Sequence, residues 1–300
     1  MPDPTAILGG AAFLGASGAL VYAGALAGVV RNSIRPERKT VGWALGRGFP
    51  SEPTAWGLPA REWIHEFNGA QCPVFEIGDE DPAAPTAIVL HGFGRSRYDA
   101  LSRLGPILPY ARRFLLPDLP GHGDAHGRST RLGTDEDQFV ASLAAAHSTG
   151  PLLLVGHSLG ATVAVHGATL NIIAPRVTGV LALAPYERLA TPMGARLDLH
   201  AMPRTALLGP TMRVLSLLGV HERSTREAAA RARCPIAVIA GTADLIAPIE
   251  EARAIAAAAK RGHFAAITHA RHDDFHTMGR NEMIAALACI THSAPGLTNV

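Results

Sequence analysis

The chain has 300 residues, 48% of them hydrophobic, enough to bury a full-sized core within one large domain. Its 27 basic and 25 acidic residues nearly cancel, with no long basic run and no aromatic–basic interleaving, which excludes nucleic acid as a partner. The three cysteines, Cys72, Cys234 and Cys289, are too few and too widely spaced for a disulfide framework or a zinc knuckle, and small buried hydrophobes are expected.

From Ala6 to Val30 there is no charged residue. At about 1.5 Å per residue such a helix spans a bilayer core of about 30 Å, so residues 6–30 read as an uncleaved membrane anchor. The alternative is a buried or surface-lying helix of the soluble fold, because glycine and alanine dominate the run. Gly24 and Gly28 form a G-x-x-x-G pair of the kind that lets two helices approach. Arg31, Arg35, Arg38 and Lys39 follow, which by the positive-inside rule places the rest of the chain on the cytoplasmic side. Residues 31–54, punctuated by glycine and proline, read as a linker.

Two strands follow, Glu62 to Phe67 and Val74 to Ile77, with Asn68-Gly69 between them as a hairpin turn. Thr86 to Leu90 is an apolar run of strand length ending in His91-Gly92-Phe93-Gly94. A glycine-rich turn after a strand leaves backbone N–H groups free, which is what a developing oxyanion requires; Phe93 is the expected donor. Arg95 and Arg97 beside it read as solvated, or as attracting an anionic substrate or headgroup. Phe114 to Leu116 is a short strand leading into Asp118-Leu119-Pro120-Gly121-His122-Gly123. His122, Asp124 and His126 have the look of metal ligands but no matching cluster, and no metal is expected. Thr134 is the expected cap of a helix opening Asp135-Glu136-Asp137.

The stretch Leu152 to Val155 then runs into Gly156-His157-Ser158-Leu159-Gly160 and a helix-compatible segment. Strand, tight turn and helix around G-x-S-x-G lift the serine hydroxyl clear of the sheet, and the glycines let strand and helix close up. Ser158 is therefore the expected nucleophile and the N–H of Leu159 the second oxyanion donor. Val177 to Ala184 is another strand. Residues 188–233 break the strand–helix rhythm and read as a small helical lid. Pro235 to Ala240 is a strand ending at Gly241-Thr242-Ala243-Asp244; helix Ile249 to Lys260 and strand Phe264 to Thr268 precede Arg271-His272-Asp273-Asp274-Phe275-His276.

A serine hydroxyl needs a base near neutral pKa, and that base needs an acid to hold its tautomer and offset its charge. His272 is the expected base, with His276 second and His269 assigned to the strand end. Asp244 is the expected acid, with Glu187 in reserve; Asp273 and Asp274 read as surface or capping groups.

These motifs, in this order over residues 55–290, resemble the α/β-hydrolase superfamily. The hydrophobic N-terminal segment and the GLP stretch at 57–59 more loosely resemble membrane-associated serine hydrolases of the BEM46 kind. The resemblance implies an α/β fold, with a mostly parallel central sheet flanked by helices and a small helical lid. It also implies a Ser158–His272–Asp244 triad, Phe93 and Leu159 as oxyanion donors, and no cofactor. The expected activity is hydrolysis of a carboxylic ester or thioester through an acyl-enzyme, on a small acyl substrate, lipids included. The alternatives are an acyltransferase with the same triad and a non-catalytic binding protein of the same fold.

Overall fold

A computed structural model describes residues 4–291, and the side chains of residues 17–291. Helix α1 (Pro4–Ile34) and the short α2 (Val41–Leu45) precede an eight-stranded sheet. Strands β1 (Ala60–Phe67) and β2 (Ala70–Gly78) form a hairpin. Its turn residues, Asn68 and Gly69, both take positive φ, 48° and 78°, as a turn matched to strand twist demands.

From β3 (Thr86–Leu90) onward the chain alternates. Helix α3 (Arg97–Ser102), β4 (Arg113–Pro117) and α4 (Glu136–His147) lead to β5 (Leu152–His157), α5 (Leu159–Gly167) and β6 (Val177–Leu183). Three helices follow, α6 (Ala190–Leu199), α7 (Arg204–Leu217) and α8 (Thr225–Arg231). Then come β7 (Ile236–Gly241), α9 (Ile249–Ala258), β8 (Gly262–Ile267), α10 (Phe275–Met278) and α11 (Arg280–Thr291).

The sheet order is β1-β2-β4-β3-β5-β6-β7-β8, and β2 alone runs against the others. Strands β3 to β7 are largely apolar and buried almost throughout because helices cover both of their faces. On one face α4, α5, α8 and α9 bury Leu152, Leu154, Val180 and Val238. On the other, α3 and α11 bury Leu153, Val155, Leu181 and Ile239. The parallel strands all end at one edge, and their following loops gather there.

Several expectations need correction. The linker is not a linker: α1 runs to Ile34, and α2 buries Ala44 completely. Between them the chain is pinned, with Ile34 C=O accepting from Thr130 N–H and Arg38 donating to the carbonyls of Gly123 and Ala125. The last turns of α1 are also not free to lie in a bilayer. Leu26, Val29, Val30 and Ile34 pack with Leu189, Met193 and Leu215 of the 188–233 region, and Tyr22 donates to Ala206 C=O on α7. Among the described residues no helix is long and apolar enough to cross a membrane. The rest of the expected anchor, before residue 17, lies outside the residues whose side chains are described.

Helix α8 sits against α5 and α9 in the main layer, so the cap over the sheet edge consists of α6 and α7. Thr134 does not cap α4. Asp135 takes the cap position, while Thr134 Oγ1 accepts from the His221 N–H and Glu136 turns back to bind the amides of Arg131 and Gly133. Cys72 and Cys234 are buried as expected, but Cys289 is exposed.

Arg97 is not solvated. It is 3% exposed, stacks over the Phe75 and Tyr98 rings, and ion-pairs with Asp118, Asp124 and Glu62. Asp118 is fully buried and also accepts from the amides of Arg97 and Asp124. Gly123 permits this approach, since a Cβ there would lie 2.4 Å from the Asp118 carboxylate. Burial pushes the Asp118 carboxyl upward, and the Arg97 charge opposes that push. Arg97→Ala strands this carboxylate without its cation, and should lower unfolding free energy by about 3–5 kcal/mol in urea titrations. A loss under about 1 kcal/mol would mean that water, not Arg97, satisfies Asp118.

Candidate active site

The turn between β5 and α5 is held by close backbone approach. Ser158 has φ 53° and ψ −114°, a conformation that L-residues rarely adopt. A Cβ on Gly156 would sit 2.1 Å from the Gly160 carbonyl oxygen, and one on Gly160 would sit 2.6 Å from the carbonyl oxygens of Leu90 and His91. Both positions are therefore restricted to glycine, and the start of α5 rests directly on the end of β3.

Around Ser158 the loop ends converge. The Ser158 hydroxyl donates to His272 Nε2 over 2.8 Å, and His272 Nδ1–H donates to Asp244 Oδ2 over 2.7 Å. The other oxygen of Asp244 accepts from the amides of Ile246 and Ala247 at 2.8 and 2.9 Å, so the carboxylate cannot rotate away. Asp244 follows β7 and His272 follows β8, so the two arrive from adjacent strand ends. In this arrangement an imidazole can take a proton from a serine hydroxyl while its own positive charge is offset.

Phe93 lies across the mouth of the site. Its loop is fixed by His91, whose Nε2 accepts from the Leu119 amide at 3.0 Å while Nδ1–H donates to Gly92 C=O at 2.8 Å. Burial lowers the pKa of His91, which keeps the imidazole neutral in that role. A Cβ on Gly92 would be 3.3 Å from Ser158 Cβ, so the loop touches the serine directly. Leu159 opens α5, and its N–H has no acceptor within that helix. Among the described residues neither the Phe93 nor the Leu159 amide is engaged by another group, leaving two donors free beside Ser158.

The other candidates are engaged otherwise. Glu187 binds Ser224 Oγ and the Arg226 amide. His276 donates from Nδ1 to Asp273 C=O and packs edge-on against Phe49. His269 sits in the turn after β8 with φ 63°. Asp274 precedes α10 and accepts from the Arg271 amide. Asp273 ion-pairs with Arg95. His122 is buried with its Nδ1 on Pro120 C=O, and among the described residues no group of metal-binding side chains assembles.

Sequence reasoning passed over two contributors. One is His157, buried beside the serine, whose Nε2–H donates to the His272 carbonyl over 2.7 Å and so fixes the backbone that carries the His272 imidazole. Its place inside G-H-S-L-G was the available signal. The other is the end of α1. Val29, Asn32 and Ser33 join Phe93, Leu132, Leu159, Leu189, Met193 and Leu197 around an apolar cavity of about 180 Å³ that opens on Ser158. A second, more polar lobe of about 800 Å³ reaches Ser158 and His272 from outside, past Gly94, Arg95, Arg196 and Arg35.

A family model described as "Alpha/beta hydrolase family" matches residues 87–287. The chain belongs to this family. A further comparison finds 36% identity over 164 residues to the magnesium-chelatase 30 kDa subunit of Rhodobacter capsulatus, covering 50% of this chain and 56% of that protein. Another finds 25% identity over 154 residues to protein phosphatase methylesterase 1 of Bos taurus, covering 48% of this chain and 40% of that protein. The chain thus spans about half the length of the curated relatives it matches. Among solved structures, an esterase of Pyrococcus furiosus superposes with a TM-score of 0.65 at 19% identity, over 82% of this chain and 95% of that one. At that identity the likeness concerns the fold.

In this α/β hydrolase the elbow tolerates no side chain at position 160. Gly160→Ala should cost about 1–3 kcal/mol of stability, measured by urea unfolding, because the added methyl must push the Leu90–His91 backbone aside. An unchanged midpoint would show that α5 can shift without cost.

Proposed function

We propose that the protein is a serine hydrolase that cleaves carboxylic ester or thioester bonds through an acyl-enzyme on Ser158. The observation that carries this reading is the hydrogen-bonded chain from Ser158 through His272 to Asp244, set beside two unengaged amides. Ser158 Oγ attacks the acyl carbon as its proton passes to His272 Nε2, and the carbonyl oxygen becomes an oxyanion facing the Phe93 and Leu159 N–H groups. The bond to the leaving oxygen or sulfur then breaks, and His272 gives that atom the proton. Water attacks the acyl-enzyme, again losing a proton to His272, and the proton returns to Ser158 Oγ as the acid departs. Membership of the family and the esterase-like fold support hydrolysis as the reaction class.

The test is labelling of the purified protein with a fluorophosphonate probe, followed by hydrolysis of acyl esters of graded chain length. The wild type should be labelled and Ser158→Ala should not, with hydrolysis falling roughly 10⁴-fold or more in the variant. A folded wild type that neither takes the probe nor cleaves any ester, with or without detergent, overturns the reading.

The reading also includes membrane attachment through the part of residues 6–30 that precedes the packed last turns of α1, with the hydrolase domain on the cytoplasmic side. The support is the uncharged run from Ala6 to Val30 and the cations that follow it. Within α1, Leu20 and Val21 are also 74% exposed. Expressed whole, the chain should float with membranes in a density gradient, and removal of residues 1–19 should release it. A whole chain that stays soluble without detergent would refute attachment.

A further inference from the structure

The two lobes at Ser158 have opposite chemistry, and His272 decides which part of a substrate enters each. As the acid that protonates the departing atom, His272 must face the leaving group, and it lines only the polar lobe. The acyl chain then occupies the apolar cavity beneath Leu189, Met193 and Leu197, and the alcohol or thiol points outward.

That outward lobe is strongly cationic in a chain that is nearly neutral overall. It is lined by Arg31, Arg35, Lys39, Arg95 and Arg196, against the two acids Glu37 and Asp273. Lys39 is paired with Glu37 and Arg95 with Asp273, which leaves Arg31, Arg35 and Arg196 without an ion pair of their own, although Tyr186 and the Asp273 carboxylate act on Arg196 at longer range. Arg35 has only a neutral contact, at 3.3 Å to Ser129 Oγ. Arg31 and Arg196 make no ion pair and no side-chain hydrogen bond with any described residue. Arg196 is held in place nevertheless, with its guanidinium 4.7 Å from the centroid of the Phe93 ring. It is the one cation that lines both lobes together with Ser158. Withdrawal from water disfavours its charge, and a guanidinium so placed is stabilised by an anion that brings its own oxygens.

We propose that Arg196, flanked by Arg31 and Arg35, is a subsite for a phosphate monoester carried on the leaving group. The favoured substrates are then acyl esters or acyl thioesters of a phosphorylated alcohol or thiol. Three unpaired cations suit a dianion better than a single carboxylate, and guanidinium forks match phosphate oxygens. This inference rests on the serine-hydrolase reading of the same site.

Two matched pairs test it and separate the sources of such a phosphate: 1-butanoylglycerol 3-phosphate against 1-butanoylglycerol, and S-butanoyl phosphopantetheine against S-butanoyl pantetheine. In at least one pair the wild-type kcat/KM should favour the phosphorylated member by about tenfold or more, and the ratio should shrink as salt rises. Arg196→Gln should carry that ratio towards one, Arg31→Gln should reduce it, and Arg196→Lys should retain part of it. Preference within the glycerol pair alone assigns a lipid-type alcohol, and within the thioester pair alone a carrier-type thiol. Ratios near one in both pairs, or a ratio unchanged by Arg196→Gln, overturn the subsite. Should nothing be cleaved and the fluorophosphonate probe fail, the hydrolase reading falls. Calorimetric titration of Ser158→Ala with glycerol 3-phosphate then judges the subsite alone: saturable binding lost on adding Arg196→Gln supports it, and no binding overturns it.

Discussion

The site depends on how closely α5 is allowed to approach the ends of β3 and β5. With hydrogens for side chains at positions 156 and 160, the helix start rests on backbone atoms, and Ser158 is forced into a positive-φ turn between them. That one contact sets several things at once. It raises the hydroxyl above the sheet edge and aims the first amide of α5 at the space beside it. It also brings Gly92 against the serine, so that the Phe93 amide arrives on the other side. The energy needed to hold a strained residue comes from the apolar packing of β5 and α5, both buried along their whole length.

Around this fixed point the supporting contacts are made by buried imidazoles and carboxylates. His91 ties the Phe93 loop to the loop after β4, and the Arg97–Asp118 pair ties that second loop to α3. His157 ties the strand that carries the serine to the backbone that carries His272. Each of these groups is buried, so each hydrogen bond is made where water cannot replace it. The geometry at Ser158 is thus held from several elements rather than by the triad's own two hydrogen bonds.

What could be read from the chain and what could not divides along a physical line. That Ser158, Asp244 and His272 come together was legible because the strand–turn–helix pattern marks the serine, and because parallel strand ends meet on one edge. The strands were legible because burial on both faces requires largely apolar runs. Arg97 was misread as solvated because its partners, Glu62 on one side and Asp118 and Asp124 on the other, come from two other stretches of chain. Arg196 carried no signal at all: its character comes from lacking an acid partner, a property of the packed structure. The end of α1 was misread for a related reason. A run of alanine, glycine and leucine suits a bilayer and a helix–helix contact equally, and only the position of α6 and α7 shows which surface its last turns meet.

The cavity wall has a consequence for how such an enzyme diverges. Val29, Asn32 and Ser33 belong to a segment outside residues 87–287, where the family pattern and all the groups at the elbow reside. Part of the pocket wall is therefore written on a stretch of chain separate from the chemistry. Substitutions in the last turns of α1 can reshape part of the chamber that opens on Ser158 without disturbing the strained turn or the hydrogen bonds behind it. A single hydrolytic engine of this construction can be retuned to new substrates by changes in a helix that takes no part in the sheet.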